Sequence, residues 1–165
     1  MTDIKKVVPH GQTFSGRYFP KNLWKYIGDP QKIIYRSGWE KKFCIWCDDN
    51  TDVIKWASEP FPIKYLSPLD NKVHEYFVDF YVKIEVGGKE KEFIVEVKPK
   101  KQTVKPVEPK RKTAEAMKGY IQAMNTYIIN YKKFAAARQF AAQRGFTFFV
   151  ATEDFIDNLH SSWKS

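Results

Sequence analysis

The chain has 165 residues, 43% of them hydrophobic and 16% aromatic, which is enough for one globular domain with a buried core. Its 28 lysines and arginines against 19 acidic residues leave a net charge of +9, which favours anionic partners, nucleic acid first among them. No apolar run approaches the ~20 residues of a membrane span and the first residues lack a signal-peptide core, so a soluble intracellular protein with no membrane partner is expected.

Residues 1–30 are punctuated by Pro9, Gly11, Gly16, Pro20, Gly28 and Pro30, with Arg17, Tyr18, Trp24, Lys25 and Tyr26 between them. That pattern argues against long regular elements and for an extended arm packed on the domain, its basic residues facing solvent or a ligand. Residues 31–165 are then the single main domain. The first helix opens at Ser37, where Ser37-x-x-Glu40 fits a capping box, and runs through Trp39, Phe43, Trp46 and Cys47 at helical spacing. Glu40 has two readings: a cap that bonds the backbone, or a carboxylate projecting near Cys44 and Cys47 towards the sheet. Spacing alone slightly favours the cap. The Cys44-Ile-Trp-Cys47 pair has no second Cys or His pair to complete a zinc site and falls inside the helix, so it is assigned to the core.

A hairpin-like stretch is expected at Val53–Trp56 and Phe61–Tyr65, followed by a turn over 67–72 and one strand over His74–Val82. Asp79 is the anomaly in that strand, because Asp is a poor strand former and here it stands among aromatics. His74, nearby in sequence, is read as a hydrogen-bonded structural histidine. Gly87-Gly88 turns the chain into Phe93–Lys98, where Phe93, Val95 and Val97 share one face and Ile94, Glu96 and Lys98 the other. The strands bearing Asp79 and Glu96 are therefore expected to be antiparallel neighbours.

From Pro99 to Lys112 three prolines, six basic residues and one acid make an extended cationic loop, a candidate flank for phosphates. Thr113 to Arg144 is helical in pattern, with Met117, Ile121, Met124, Ile128 and Tyr131 as an apolar stripe and Gly145 as the stop. A continuous helix would be about 48 Å long at 1.5 Å per residue, so a break near 125–130 is expected. The alanine-rich half, Phe134 to Ala142, should pack on the sheet. Phe146–Ala151 reads as a buried strand, and Thr152 as the cap of a last helix through Phe155, Ile156, Leu159 and Trp163.

Glu40, Asp79, Glu96 and Lys98 are thus expected at one place. Carboxylates that close raise one another's pKa unless a cation neutralises them, and an all-oxygen set suits Mg²⁺ or Mn²⁺. Such ions serve in-line displacement at phosphorus, with a nearby lysine to position or deprotonate water, so the substrate would be a phosphodiester.

In order, Glu40, Val78-Asp79 and Glu96-Val97-Lys98 resemble the motif of the PD-(D/E)XK nuclease superfamily, with Val78 where a proline is usual. Arg36-Ser37-Gly38-Trp39-Glu40 also looks like the entry of phage junction-resolving endonucleases and of transposon end-cutting subunits. Gly-Arg-Tyr-x-Pro-Lys-Asn (16–22), Tyr-Ile-Gly-Asp-Pro (26–30), Trp-x-Ser-Glu (56–59), His-x-Tyr-x-x-Asp-Phe (74–80) and Glu-Val-Lys-Pro (96–99) together resemble the head completion nucleases of T-even-type tailed phages.

The resemblance implies an α/β, restriction-endonuclease-like αβββαβ core with a mixed central sheet flanked by helices. It implies a Mg²⁺- or Mn²⁺-dependent endo- and exonuclease acting on packaged phage DNA in the host cytoplasm, or on the virion, before head–tail joining. Asp79 and Glu96 would bind the metal, Glu40 would support it, and Lys98 would orient or activate water. Arg36, Lys100, Lys101, Lys110 and Arg111 would hold phosphates of double-stranded DNA, and capsid or portal-neck proteins would be partners. The alternatives are a junction-resolving endonuclease and a DNA-end-binding assembly protein without activity.

Overall fold

A computed structural model describes residues 15–159, so residues 1–14 of the expected arm and Trp163 of the expected last helix lie outside it. A two-residue strand, β1 (Gly16–Arg17), pairs with β2 (Ile34–Tyr35) ahead of helix α1 (Gly38–Asp49). Then come β3 (Val53–Ser58), β4 (Pro62–Ser67), β5 (Lys72–Phe77), β6 (Phe80–Val86) and β7 (Lys89–Val97). Helix α2 (Ala114–Arg144), β8 (Thr147–Ala151) and a short α3 (Glu153–Asp157) complete the described chain.

The central sheet has the order β3-β6-β7-β8, antiparallel except for the parallel β7–β8 pair, whose crossover contains α2. This is the expected mixed α/β sheet between helices. Its two faces follow the period-two alternation of the strands. Phe80, Val82, Val95 and Val97 pack with Phe43, Cys44 and Cys47 of α1 and with Ile156 of α3. On the other face Tyr81 and Ile94 pack with Ala137 and Ala141 of α2. Alanine at these positions lets the α2 backbone lie close to the sheet. Both cysteines are fully buried and unpaired, and burial raises their thiols well above the ordinary range, as suits a core role.

The β6–β7 hairpin is the expected one: Val86 pairs with Lys89, and Gly87 and Gly88 take φ of 59° and 75°, the left-handed pair that a type I′ turn requires. The β3–β4 hairpin is not formed. β3 pairs with β6, and β4 with β5 in a separate two-stranded sheet over α2, because Glu59 turns the chain out of the central sheet at a positive φ of 48°. The single strand expected over His74–Val82 is likewise two strands, broken at Val78 and Asp79. The break switches face parity, so that Tyr76 and Val78 look towards α2 whereas Phe80 and Val82 look towards α1.

The break expected near residues 125–130 does not occur. Helix α2 is continuous for 31 residues, capped by the Thr113 side chain and ended by Gly145 at φ 72°. Its second half covers the sheet while its first half extends past it. The stripe expected to be buried is therefore partly in solvent, with Ile121 54% and Tyr131 60% exposed. β8 is mostly half-buried, because it lies at the sheet's edge.

Residues 15–30 lie along the domain and close over the end of α1. Buried Asp48 accepts from the Tyr18 hydroxyl (2.8 Å) and from the backbone N–H groups of Lys21 (2.7 Å) and Asn22 (3.0 Å). Lys25, expected to face solvent or a ligand, is buried instead. Its ammonium donates to the carbonyls of Cys47 (3.1 Å), Asp48 (2.9 Å) and Asn50 (2.6 Å), so it satisfies the orphan acceptors at the helix C-terminus.

Candidate active site

The break between β5 and β6 has a local cause. Phe80 pairs with Val95, so an unbroken ladder would put Val78 opposite Val97. Instead the Asp79 carboxylate supplies the acceptor, taking the Val97 N–H at 2.7 Å through Oδ2, while the Glu59 N–H donates to the Asp79 carbonyl at 2.8 Å. A side chain thus replaces a backbone carbonyl in the ladder, which holds Asp79 at the end of β7. There Glu96, 3% exposed, follows Val95, and Lys98 follows Val97 as the chain leaves the strand.

Glu96 Oε1 and the Lys98 ammonium are 3.1 Å apart. Glu96 Oε2 is buried with no hydrogen-bond partner, an exposed cost of order 1–3 kcal/mol for an orphaned polar atom. Burial pushes the Asp79 carboxyl well above the ordinary range, and the Glu96 and Glu40 charges push it further; Lys98 and the Val97 bond pull back. Burial also raises Glu96, against the pull of Lys98. On Lys98 burial acts downward, but Glu96, Asp79 and Glu40 outweigh it and the net direction is up.

Glu40 meets both of its sequence readings. The Ser37 hydroxyl accepts from the Glu40 N–H at 3.1 Å, and Glu40 Oε2 accepts from the Arg36 N–H at 2.8 Å, one residue earlier than a standard capping box. Its carboxyl is nonetheless raised by burial, and its charge is felt at Asp79 and Lys98. The α1 entry therefore turns this carboxylate towards the β6–β7 cluster.

The expected phosphate-binding residues divide into two groups. The Arg36 guanidinium pairs with the Glu59 carboxylate, and Lys100 pairs with Asp154 at 2.9 Å, so both are engaged within the chain. Lys101, Lys110 and Arg111 are exposed on the loop that leaves Lys98. His74 lies on the outer hairpin, 2.7 Å from Asp70 Oδ2 and stacked on Tyr65 at 5.8 Å, in the structural role expected.

Among the described residues, no three His, Cys, Asp or Glu side chains form a ready-made cage for a metal. Mg²⁺ rarely needs one, since it is commonly held by one or two carboxylates with waters and a substrate phosphate. Mutually repelling carboxyls at Asp79 and Glu96, with an unbonded Oε2, are a donor set that fits such an ion.

A family model described as "TnsA-like endonuclease N terminal" matches residues 50–153, which include Asp79, Glu96 and Lys98. The chain is also 43% identical over 146 residues to the head completion nuclease of Enterobacteria phage T4, an alignment covering 88% of this chain and 95% of that protein. The chain belongs to the TnsA-like endonuclease family.

In this TnsA-like endonuclease the matched segment begins after α1, so Glu40 joins the site from outside it. Two residues of the neighbourhood were missed in sequence. Glu59 holds both Arg36 and the Asp79 backbone; its place in Trp-x-Ser-Glu was visible, but its positive φ was not. Lys133 of α2 is influenced by Lys98, Glu96 and Asp79, yet it reads as one lysine of a Lys-Lys pair.

Proposed function

We propose that the protein is a divalent-metal-dependent nuclease that hydrolyses phosphodiester bonds of DNA, acting on packaged phage DNA during head completion and before tail joining. The observation that carries this reading is the meeting of two carboxyls, half-buried Asp79 and buried Glu96, with Lys98 tied to Glu96 at 3.1 Å, in a chain of the TnsA-like endonuclease family. The phage setting, like the expectation of capsid or portal-neck partners and a place in the host cytoplasm, follows the likeness to the T4 protein.

Asp79 and Glu96 would hold Mg²⁺ or Mn²⁺, with Glu40 behind them adding negative charge. When bound, the ion neutralises the carboxylates and polarises the scissile phosphate. Lys98, held charged by its acidic neighbours, donates N–H bonds that orient a water or a phosphate oxygen. It could serve as a base only as the neutral amine, after losing its own proton, which becomes easier once the surrounding negative charge has been offset. Lys101, Lys110 and Arg111 lie along the loop leaving Lys98 and steer the duplex backbone.

The test is a digestion series on linear, circular and single-stranded DNA with Mg²⁺, Mn²⁺ or EDTA. Cutting of linear and circular duplex that needs the metal and disappears in Asp79→Ala is expected. Metal-dependent cutting that survives undiminished in both Asp79→Ala and Lys98→Ala overturns the reading.

A further inference from the structure

Helix α2 presents a cation to the carboxylate cluster that the reading above leaves unused. Lys133 precedes the buried Phe134 and is itself half-buried. Its ammonium stands 5.1 Å from the centre of the Tyr76 ring and 5.6 Å from that of Tyr65, and the Tyr76 hydroxyl donates to the Lys133 carbonyl at 3.0 Å. Tyr76 lies three residues before Asp79, so the segment that leads into Asp79 is pinned to this turn of α2.

Among the described residues no carboxylate lies within ion-pair distance of Lys133, whereas the Lys98 ammonium is matched by Glu96 at 3.1 Å. Burial lowers the Lys133 ammonium and Lys98 lowers it further; the attraction of Glu96 and Asp79 acts the other way. Ring faces compensate a cation only in part, and withdrawing an ammonium group from water without an anion is costly. Packing alone would be served as well by Met or Leu. A half-buried cation near two carboxylates, reaching them from a different element than Lys98, is arranged for an anion that arrives from outside.

We propose that Lys133 is a second substrate-contacting lysine of the cleavage centre, which holds a non-bridging oxygen of the scissile phosphate while Lys98 handles the water side. The inference rests on the nuclease reading. A phosphate drawn between Lys133 and the carboxylate site gives Lys133 its missing counter-charge and aligns the phosphorus for attack. Continuity of α2 past residue 130 matters for this, since a kink there would move Lys133 away from Tyr76.

The test compares full-length wild type, Lys133→Met, Lys133→Gln and Lys133→Arg on a short labelled duplex, with single-turnover rates in Mg²⁺, Kd for the duplex in EDTA, and melting temperature. Loss of a donor to a charged transition state slows reactions by roughly 100-fold, so the Met and Gln variants should slow cleavage by about that factor while Kd changes by less than about threefold. Arg should restore about a tenth or more of the wild-type rate, and the Met and Gln variants should be slow at wild-type melting temperature, a combination that a purely structural cation over the tyrosine rings would not produce. Wild-type rates in Met and Gln, or a loss in all three variants that follows lowered melting temperature, overturn the inference alone. Absence of cleavage by the wild type overturns both it and the nuclease reading.

Discussion

Asp48 and Glu96 are both buried carboxylates, and the chain treats them in opposite ways. Burial alone would raise the Asp48 carboxyl, but the bonds from Lys21, Tyr18 and Asn22 together outweigh it and hold Asp48 below the usual range. Burial raises Glu96, and its single ammonium partner, Lys98, does not outweigh it; Asp79 is raised by burial first and by the Glu96 charge second. Asp48 closes the arm onto α1 and is complete without a ligand. The Asp79–Glu96 pair is complete only when positive charge is added. In this chain, incomplete compensation rather than burial separates the carboxylates proposed to bind metal from a structural one.

The sharpest break between the two regions is expected in activity. Asp79→Ala or Lys98→Ala should lower metal-dependent DNA cleavage by about 10³-fold or more while leaving the circular-dichroism spectrum unchanged. A variant that still cuts at a tenth of the wild-type rate would remove its residue from the catalytic set.

Asp48→Ala should do the reverse. It leaves a tyrosine hydroxyl and two backbone N–H groups short of an acceptor, and should cost about 3 kcal/mol in urea unfolding with activity per folded molecule near wild type. Lost activity at full folding would join the two regions functionally and erase the contrast.

Their pH dependences should have opposite signs. Asp48, with its folded pKa below the unfolded value near ~3.9, contributes stability above that pH and loses it as pH falls through the folded pKa. Asp79, with its folded pKa raised, contributes stability below the unfolded value and loses it as pH rises through the folded one. Asp79→Asn keeps an acceptor for the Val97 N–H and removes the charge, so the metal-free protein should gain about 1 kcal/mol at pH 7, a gain that shrinks towards pH 5. Thermal melts across pH in EDTA decide it, and a destabilised Asn variant at pH 7 would contradict the raised carboxyl.

The smallest effect belongs to the loop. Lys101→Ala, Lys110→Ala and Arg111→Ala should each reduce the slope of log affinity against log salt by about 0.9 for duplex DNA. Lys100→Ala should change it less, because Lys100 is already paired with Asp154.

Much of this was legible in the chain because it depends on local pattern. The Ser37–Glu40 cap, the Gly87-Gly88 turn, the Gly145 stop and the pairing of β6 with β7 follow from residue types at fixed offsets. The β3–β4 hairpin and the unbroken strand through Asp79 were misread for one reason. Sequence alternation reports which residues suit strands, whereas partners are chosen by burial across the fold, and at Asp79 a side chain displaced the ladder's own acceptor. The break expected in α2 failed because a helix can outrun its core when its far half is only partly covered. Lys25 and Lys133 were missed because a lysine's surroundings are not written at its own position.

By itself the sequence determined a basic α/β chain in which the strand Phe93–Lys98, bearing Glu96 and Lys98, follows an antiparallel neighbour across the Gly87-Gly88 turn, since alternation and turn residues act over a few positions. Only the tertiary structure decided that Asp79 caps the end of β7, that Glu96 keeps an unbonded oxygen, and that the Lys133 ammonium stands over two tyrosine rings. Those outcomes depend on which groups lose water together, and desolvation is a property of the packed neighbourhood rather than of any residue type.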